Sequence, residues 1–159
     1  MNVRIVIADQ SAARFFDVEG EEGELRLIGQ LSDPAARLHD RDFKSDRPGR
    51  KSDRAPLQAG RRGATGHHGV GSERKPRKHE ATLFAQRIAD ELAVAQRAGG
   101  FDRLVIMAAP AFLGSLRSAL SPALRKAVVA EINKDLMHEN PSTVRAYVPA
   151  QVFQALSSR

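Results

Sequence analysis

The chain contains no cysteine. That excludes disulfides, thiolate metal sites, iron–sulfur clusters and a cysteine nucleophile, and it removes any need for an oxidising compartment. It also lacks an apolar run near the roughly 18 residues that a membrane span requires. The stretch Val3 to Ala8 is too short for the apolar region of a secretory signal and is followed by no small-residue cleavage site, so a cytoplasmic protein is expected. Two motif absences narrow the chemistry further. The glycine-rich Gly60 to Gly71 is not followed by Gly-Lys-Ser/Thr, so no nucleoside triphosphate cradle is indicated. Leu113-Gly114-Ser115-Leu116 lacks the second glycine of a nucleophile elbow. No cofactor is expected.

What is present is charge, unevenly spread. The 159 residues hold 25 Lys and Arg against 19 Asp and Glu, a formal net of +6, and with 42% hydrophobic residues they suit one domain, 1–159. From Lys44 to His79, eleven basic residues face only Asp46, Asp53 and Glu73, a local net of +8 that leaves −2 for all the rest. The same segment carries six of the twelve glycines, and Leu57 and Val70 are its only large apolar residues. Such a composition does not bury enough apolar area to offset its ordering entropy, so a long basic disordered loop is expected over 44–79. The candidate nucleic-acid-binding residues are Arg47, Arg50, Lys51, Arg61, Arg62, Arg74, Lys75, Arg77 and Lys78. Arginines and lysines on a flexible chain follow a phosphate path and gain affinity by counterion release. The alternative is a solvated insertion, because charge runs usually repel one another and stay exposed. No aromatic residue lies in the segment to stack bases, which favours recognition of shape and phosphate over single-strand readout. Within it, Asp46-Arg47-Pro48-Gly49-Arg50 reads either as a phosphate clamp on a tight turn or as a structural turn.

The flanks read as regular structure. Val3 to Ala8, Ala13 to Glu19 and Leu25 to Leu31 predict three strands in an antiparallel meander, and Asp33-Pro34 opens a short helical turn through Leu38. After the basic segment, Phe84, Ile88 and Leu92 predict an amphipathic helix over about 80–98, ended by Gly99-Gly100. The continuously apolar Leu104 to Ala109 predicts a central strand covered on both faces. Helices are expected over Pro110 to Leu120 and Pro122 to Lys126, a strand over Ala127 to Ile132, and a last helix from the Asn140 cap, restarted at Pro149. The order βββ, loop, αβαβα predicts an α/β fold with a five-stranded mixed sheet of ribonuclease H-like type.

Several segments together carry a family resemblance: Val6-Ile7-Ala8-Asp9 with Ala12-Ala13-Arg14, Ser45 to Arg50, Phe84-Ala85, Phe101-Asp102-Arg103-Leu104-Val105, Ala109 to Arg117, and Lys134-Asp135-Leu136. In this order and spacing the chain resembles the bacterial host attachment protein family over almost its whole length. That family is similar to the middle domain of archaeal and eukaryotic class-1 peptide-release factors and of the rescue factor Pelota, which again implies a five-stranded ribonuclease H-like sheet. In those factors a basic loop before the long helix bears Gly-Gly-Gln. Here the matching place reads Lys75-Pro76-Arg77-Lys78-His79-Glu80, and Gly-Gly-Gln occurs nowhere, so peptidyl-tRNA hydrolysis is not carried over.

The reading that results is a non-enzymatic domain that binds ribosomal or transfer RNA through its basic loop. A second reading is a hydrolase acting on RNA or peptidyl-tRNA with Mg²⁺, for which Asp9, Asp102 and Asp135 would have to converge. Their bland role is as turn residues and caps. His67, His68 and His79 lack the partners of a tetrahedral metal site, and no metal is expected. A third reading is a protein-interaction module affecting surface attachment, as the family name implies.

Overall fold

The computed structural model describes residues 1–33 and 70–154, the side chains of 70–77 excepted. Three strands open the chain: β1 (Asn2–Ala8), β2 (Ala12–Glu19) and β3 (Arg26–Ser32). They are followed by helix α1 (Val70–Arg97), strand β4 (Arg103–Ala108), helices α2 (Pro110–Ala119) and α3 (Pro122–Ala127), strand β5 (Val128–Asn133), helix α4 (Pro141–Ala146) and a 3₁₀ turn (Ala150–Phe153). The described strands form one five-stranded sheet in the order β3-β2-β1-β4-β5. β1, β2 and β3 are antiparallel neighbours, whereas β4 pairs parallel to both β1 and β5. This is the mixed α/β sheet expected from the sequence.

The strand sequences explain the layering. In β1 and β4 every position from Val3 to Ala8 and from Arg103 to Ala108 is buried, because these central strands are covered on both faces. One face carries Val6, Ala8, Phe15, Leu104 and Ile106 against Phe84, Ile88 and Leu92 of α1 and Phe112, Leu113 and Leu116 of α2. The other carries Val3, Ile5, Ile7, Phe16, Val105 and Met107 beneath Leu136, Val144, Val148 and Val152. The first face lies under a 28-residue helix, whereas the second lies under short pieces from 134 onward.

Those short pieces are held by polar contacts. Arg14 Nη1 donates to the carbonyls of Met137 and Glu139 at 3.0 and 2.9 Å. Arg103, itself buried, donates to the carbonyls of Val152 and Gln154. Arg145 donates to the Glu21 carbonyl and stacks over Phe153. The start of α4 is fixed by its own cap: Asn140 Oδ1 accepts from the Thr143 amide at 2.8 Å, with Pro141 in the first helical position. Replacing Asn140 by alanine is expected to cost about 1 kcal/mol, read as a lower urea midpoint at unchanged m-value.

α1 ends where the sequence predicts. Gly99 has φ +72°, its amide bonds to the Gln96 carbonyl, and the Gly100 amide bonds to the Ala95 carbonyl, the paired bonds of a Schellman end. Its start departs from the prediction. The helix begins at Val70, ten residues before the expected position, so 70–79 of the expected loop is helical. Apolar periodicity, on which the prediction rested, begins only near Phe84. Upstream of it Glu, Arg and Lys favour the helix by propensity, against Gly71 and Pro76, residue types that disfavour a helix interior. The expected helical turn after Asp33 lies outside the described residues.

Candidate nucleic-acid interface

The basic segment meets the described fold at its helical end. Arg74, Lys75, Arg77 and Lys78 occupy the first nine positions of α1, and Lys78 is exposed, as is its neighbour His79. Arg47, Arg50, Lys51, Arg61 and Arg62, and with them the expected clamp at 46–50 and His67-His68, lie outside the described residues. From Val70 to Ala81, the first of the described α1 side chains packed on the core, the helix rises about 16 Å. α1 returns through Gly99-Gly100 to the start of β4. Its N-terminal half therefore stands at the end of the sheet where the C-termini of β1, β4 and β5 lie. Contacts with that end confirm the placement: Arg87 Nη1 donates to the Ser32 carbonyl at 3.4 Å, and the Phe84 ring lies 6.1 Å from that of Phe112 at the start of α2.

The positive charges of the body are largely consumed within the fold. Arg4 makes a bidentate pair with Asp17, Nε to Oδ1 at 2.8 Å and Nη2 to Oδ2 at 2.9 Å, and stacks over Phe101. Arg14, Arg103 and Arg145 hold backbone carbonyls, as described above. Arg117 pairs with Glu131, whose hydrogen bonds and then whose charge raise the guanidinium pKa above its ordinary value. Lys134 donates to the Tyr147 hydroxyl and lies over its ring. Sequence reasoning missed these arginine roles. Five of these arginines or their partners sit in segments of ordinary composition, and a carbonyl acceptor leaves no mark in a sequence.

The three carboxylates of the hydrolase reading do not converge. Asp9 follows β1, and its Oδ1 accepts from the Ser11 amide and hydroxyl and from the Ala12 amide at 2.7 to 2.9 Å. Asp102 precedes β4 and accepts from the Asn2 amide at 2.8 Å. Because β1 and β4 run parallel, with Val3 opposite Arg103 and Ala8 opposite Ala108, Asp9 and Asp102 mark opposite ends of the pair. Seven residues of strand separate them by roughly 23 Å. Asp135 caps its own turn, accepting from the Met137 amide at 3.1 Å. Among the described residues no group of three or more His, Asp or Glu side chains is placed to hold a metal ion. No described helix is long and apolar enough to cross a membrane.

The sheet order, the long crossover helix and the basic lead-in to it define an α/β domain of ribonuclease H-like architecture. The chain belongs to the family described as protein required for attachment to host cells, which matches residues 4–148. Among solved structures it is similar to an archaeal translation termination factor, at 11% identity and a TM-score of 0.45, covering 96% of this chain and 36% of that one. A chain titled only as an archaeal protein is similar at 12% identity and a TM-score of 0.46, with the same coverages. The chain thus spans about a third of the length of these solved chains. No curated protein matches it.

Proposed function

We propose that this domain is a non-enzymatic binder of ribosomal or other structured RNA, which it contacts through phosphates by the basic segment 44–79. The observation that carries the reading is the partition of charge. The segment holds a net +8, whereas the remainder of the chain sums to −2, and six of the nine arginines described outside the segment are engaged by internal carboxylates and carbonyls. A polyanion approaching this molecule meets its highest density of positive charge along that segment of the chain. Phosphate contact needs only arginine and lysine, which the segment supplies, and its lack of aromatics disfavours stacking on unpaired bases.

Changing Arg61, Arg62, Arg74, Lys75, Arg77 and Lys78 together to glutamine is expected to leave the circular dichroism spectrum and urea midpoint close to wild type. All six precede Ala81, the first of the described α1 side chains packed against the core. Co-sedimentation with ribosomes over a salt series should then weaken. The slope of log affinity against log salt should fall by as much as about 4 to 5, at 0.7 to 0.9 per neutralised phosphate. Wild-type protein that fails to associate with ribosomes or RNA at low salt would sink the proposal.

A further inference from the structure

The two faces of the sheet are covered in different ways. The face bearing Ile106 lies under α1, α2 and α3, all of which stand between strands along the chain. The face bearing Met107 lies under 134–154, which follows the last described strand and can leave without moving one. Leu25 aside, every described residue outside the strands in that second core comes from 136 onward. This strap contains the six-residue α4 and a four-residue 3₁₀ turn, both shorter than the roughly 12 residues at which an isolated helix begins to persist in water. Its backbone hydrogen bonds are internal: the amides of Glu139, Val144, Val148 and Val152 donate to the carbonyls of Leu136, Asn140, Arg145 and Pro149. Among the described residues, no backbone hydrogen bond joins 135–154 to the sheet.

Side chains fasten it instead. Arg14 of β2 holds the carbonyls of Met137 and Glu139, and buried Arg103 of β4 holds those of Val152 and Gln154. Arg14 stands opposite Ile7 of β1 and Arg103 opposite Val3, so the two pins lie about 13 Å apart along the strand, one near each end of the strap. Between them Val144 and Val148 sink into the core, and Arg145 adds a third tie to the Glu21 carbonyl. We propose that 134–154 is a hinged cover that lifts as a unit while the sheet and its helical face stay folded. Its opening bares Ile5, Ile7, Phe16, Val105 and Met107, with the freed guanidinium groups of Arg14 and Arg103 at the two ends of the strip. A segment tied to the rest by side chains alone opens at a lower free energy than the hydrogen-bonded sheet beneath it. Arginine stays charged and a backbone carbonyl does not titrate, so the fastening is insensitive to pH across the ordinary range. The device is independent of the RNA-binding proposal above.

The test uses the lack of cysteine, which lets a single introduced thiol report alone. Ile106 and Met107 are neighbours on β4, both fully buried, one on each face of the sheet. Ile106→Cys and Met107→Cys are labelled with iodoacetamide under native conditions, and the global stability of each variant is measured by urea unfolding. The thiol at position 106 should react at the rate that global unfolding of its own variant allows. The thiol at position 107 should react at least about tenfold faster than that limit, because the cover opens before the sheet. Adding Arg103→Met to Met107→Cys should raise its labelling rate by about another tenfold or more, since the closed form alone loses the donor to two carbonyls. If either variant fails to fold, Val6→Cys and Ile5→Cys repeat the comparison on β1, where Val6 shares the face of Ile106 and Ile5 that of Met107. A thiol at 107 or 5 that reacts no faster than global unfolding permits would show that cover and sheet open together, and the inference would be overturned. An Arg103→Met substitution that leaves the labelling rate unchanged would overturn it as well, since the opening would then not be that of the pinned strap.

Discussion

Replacing Asp17 by alanine is expected to destabilise the protein by about 3–5 kcal/mol, because it strands a guanidinium inside the fold. Arg4 and Asp17 face each other across β1 and β2, and both side chains are about nine-tenths buried. The pair is satisfied internally: two parallel hydrogen bonds join it, and the Arg4 guanidinium lies 4.9 Å from the centroid of Phe101. Removing the carboxylate leaves a desolvated cation with only an aromatic face for company. Removing both charges is a different matter. Arg4→Met with Asp17→Leu gives up the attraction and the desolvation penalty together, and a pair of apolar side chains fits between Phe101 and the strands. The double variant should therefore recover most of the loss, and a double-mutant cycle in urea should show strong non-additivity. In a domain of this size the single substitution should lower the melting temperature by roughly 10 °C. Additive effects of the two substitutions would show that the ion pair does not act as a unit.

The same pair marks the boundary of what the sequence reveals. β1 and β4 are legible because Ile5 to Ala8 and Leu104 to Ala108 are unbroken apolar runs, as expected of strands covered on both faces. Arg4 and Arg103 sit within or beside those runs as apparent exceptions. Each is accommodated by a partner distant in sequence: Asp17 for the first, the carbonyls of Val152 and Gln154 for the second. Long-range pairing with a backbone atom has no sequence signature. The helix ends, in contrast, are set locally and show in the sequence: Asn140 before Pro141 and Gly99-Gly100 after α1 act as their identities predict. The start of α1 was misjudged for a related reason. Apolar periodicity reports where a helix touches a core, and α1 is longer than the core beneath it. The candidate site therefore splits. Its chemistry, a concentration of arginine and lysine before the long helix, is visible in the chain, but that the helix reaches back into this segment appears only in the structure.

That phase can be tested by two adjacent residues with opposite expectations. Phe84→Ala should cost about 3–5 kcal/mol, whereas Leu83→Ala should change stability by less than about 0.5 kcal/mol. Phe84 is fully buried, shares the core with Phe112 and Leu113 of α2, and lies 6.1 Å from the Phe112 ring. Truncating it opens a cavity between two helices and the sheet that rigid neighbours fill only in part. Leu83 is larger than alanine but is 53% exposed, and alanine is at least as good a helix former. Urea unfolding of the two variants separates them directly. Comparable losses would mean that α1 is rotated from the orientation described, and the consequence would reach beyond stability. Position 78 lies six residues before 84, so a rotation of the helix at Phe84 carries exposed Lys78 round by the same angle. Hydrogen exchange gives the dynamic counterpart. In Phe84→Ala the amides of 78–84 should lose protection before those of 88–97, because Ile88 and Leu92 still hold the C-terminal half of the helix to the sheet.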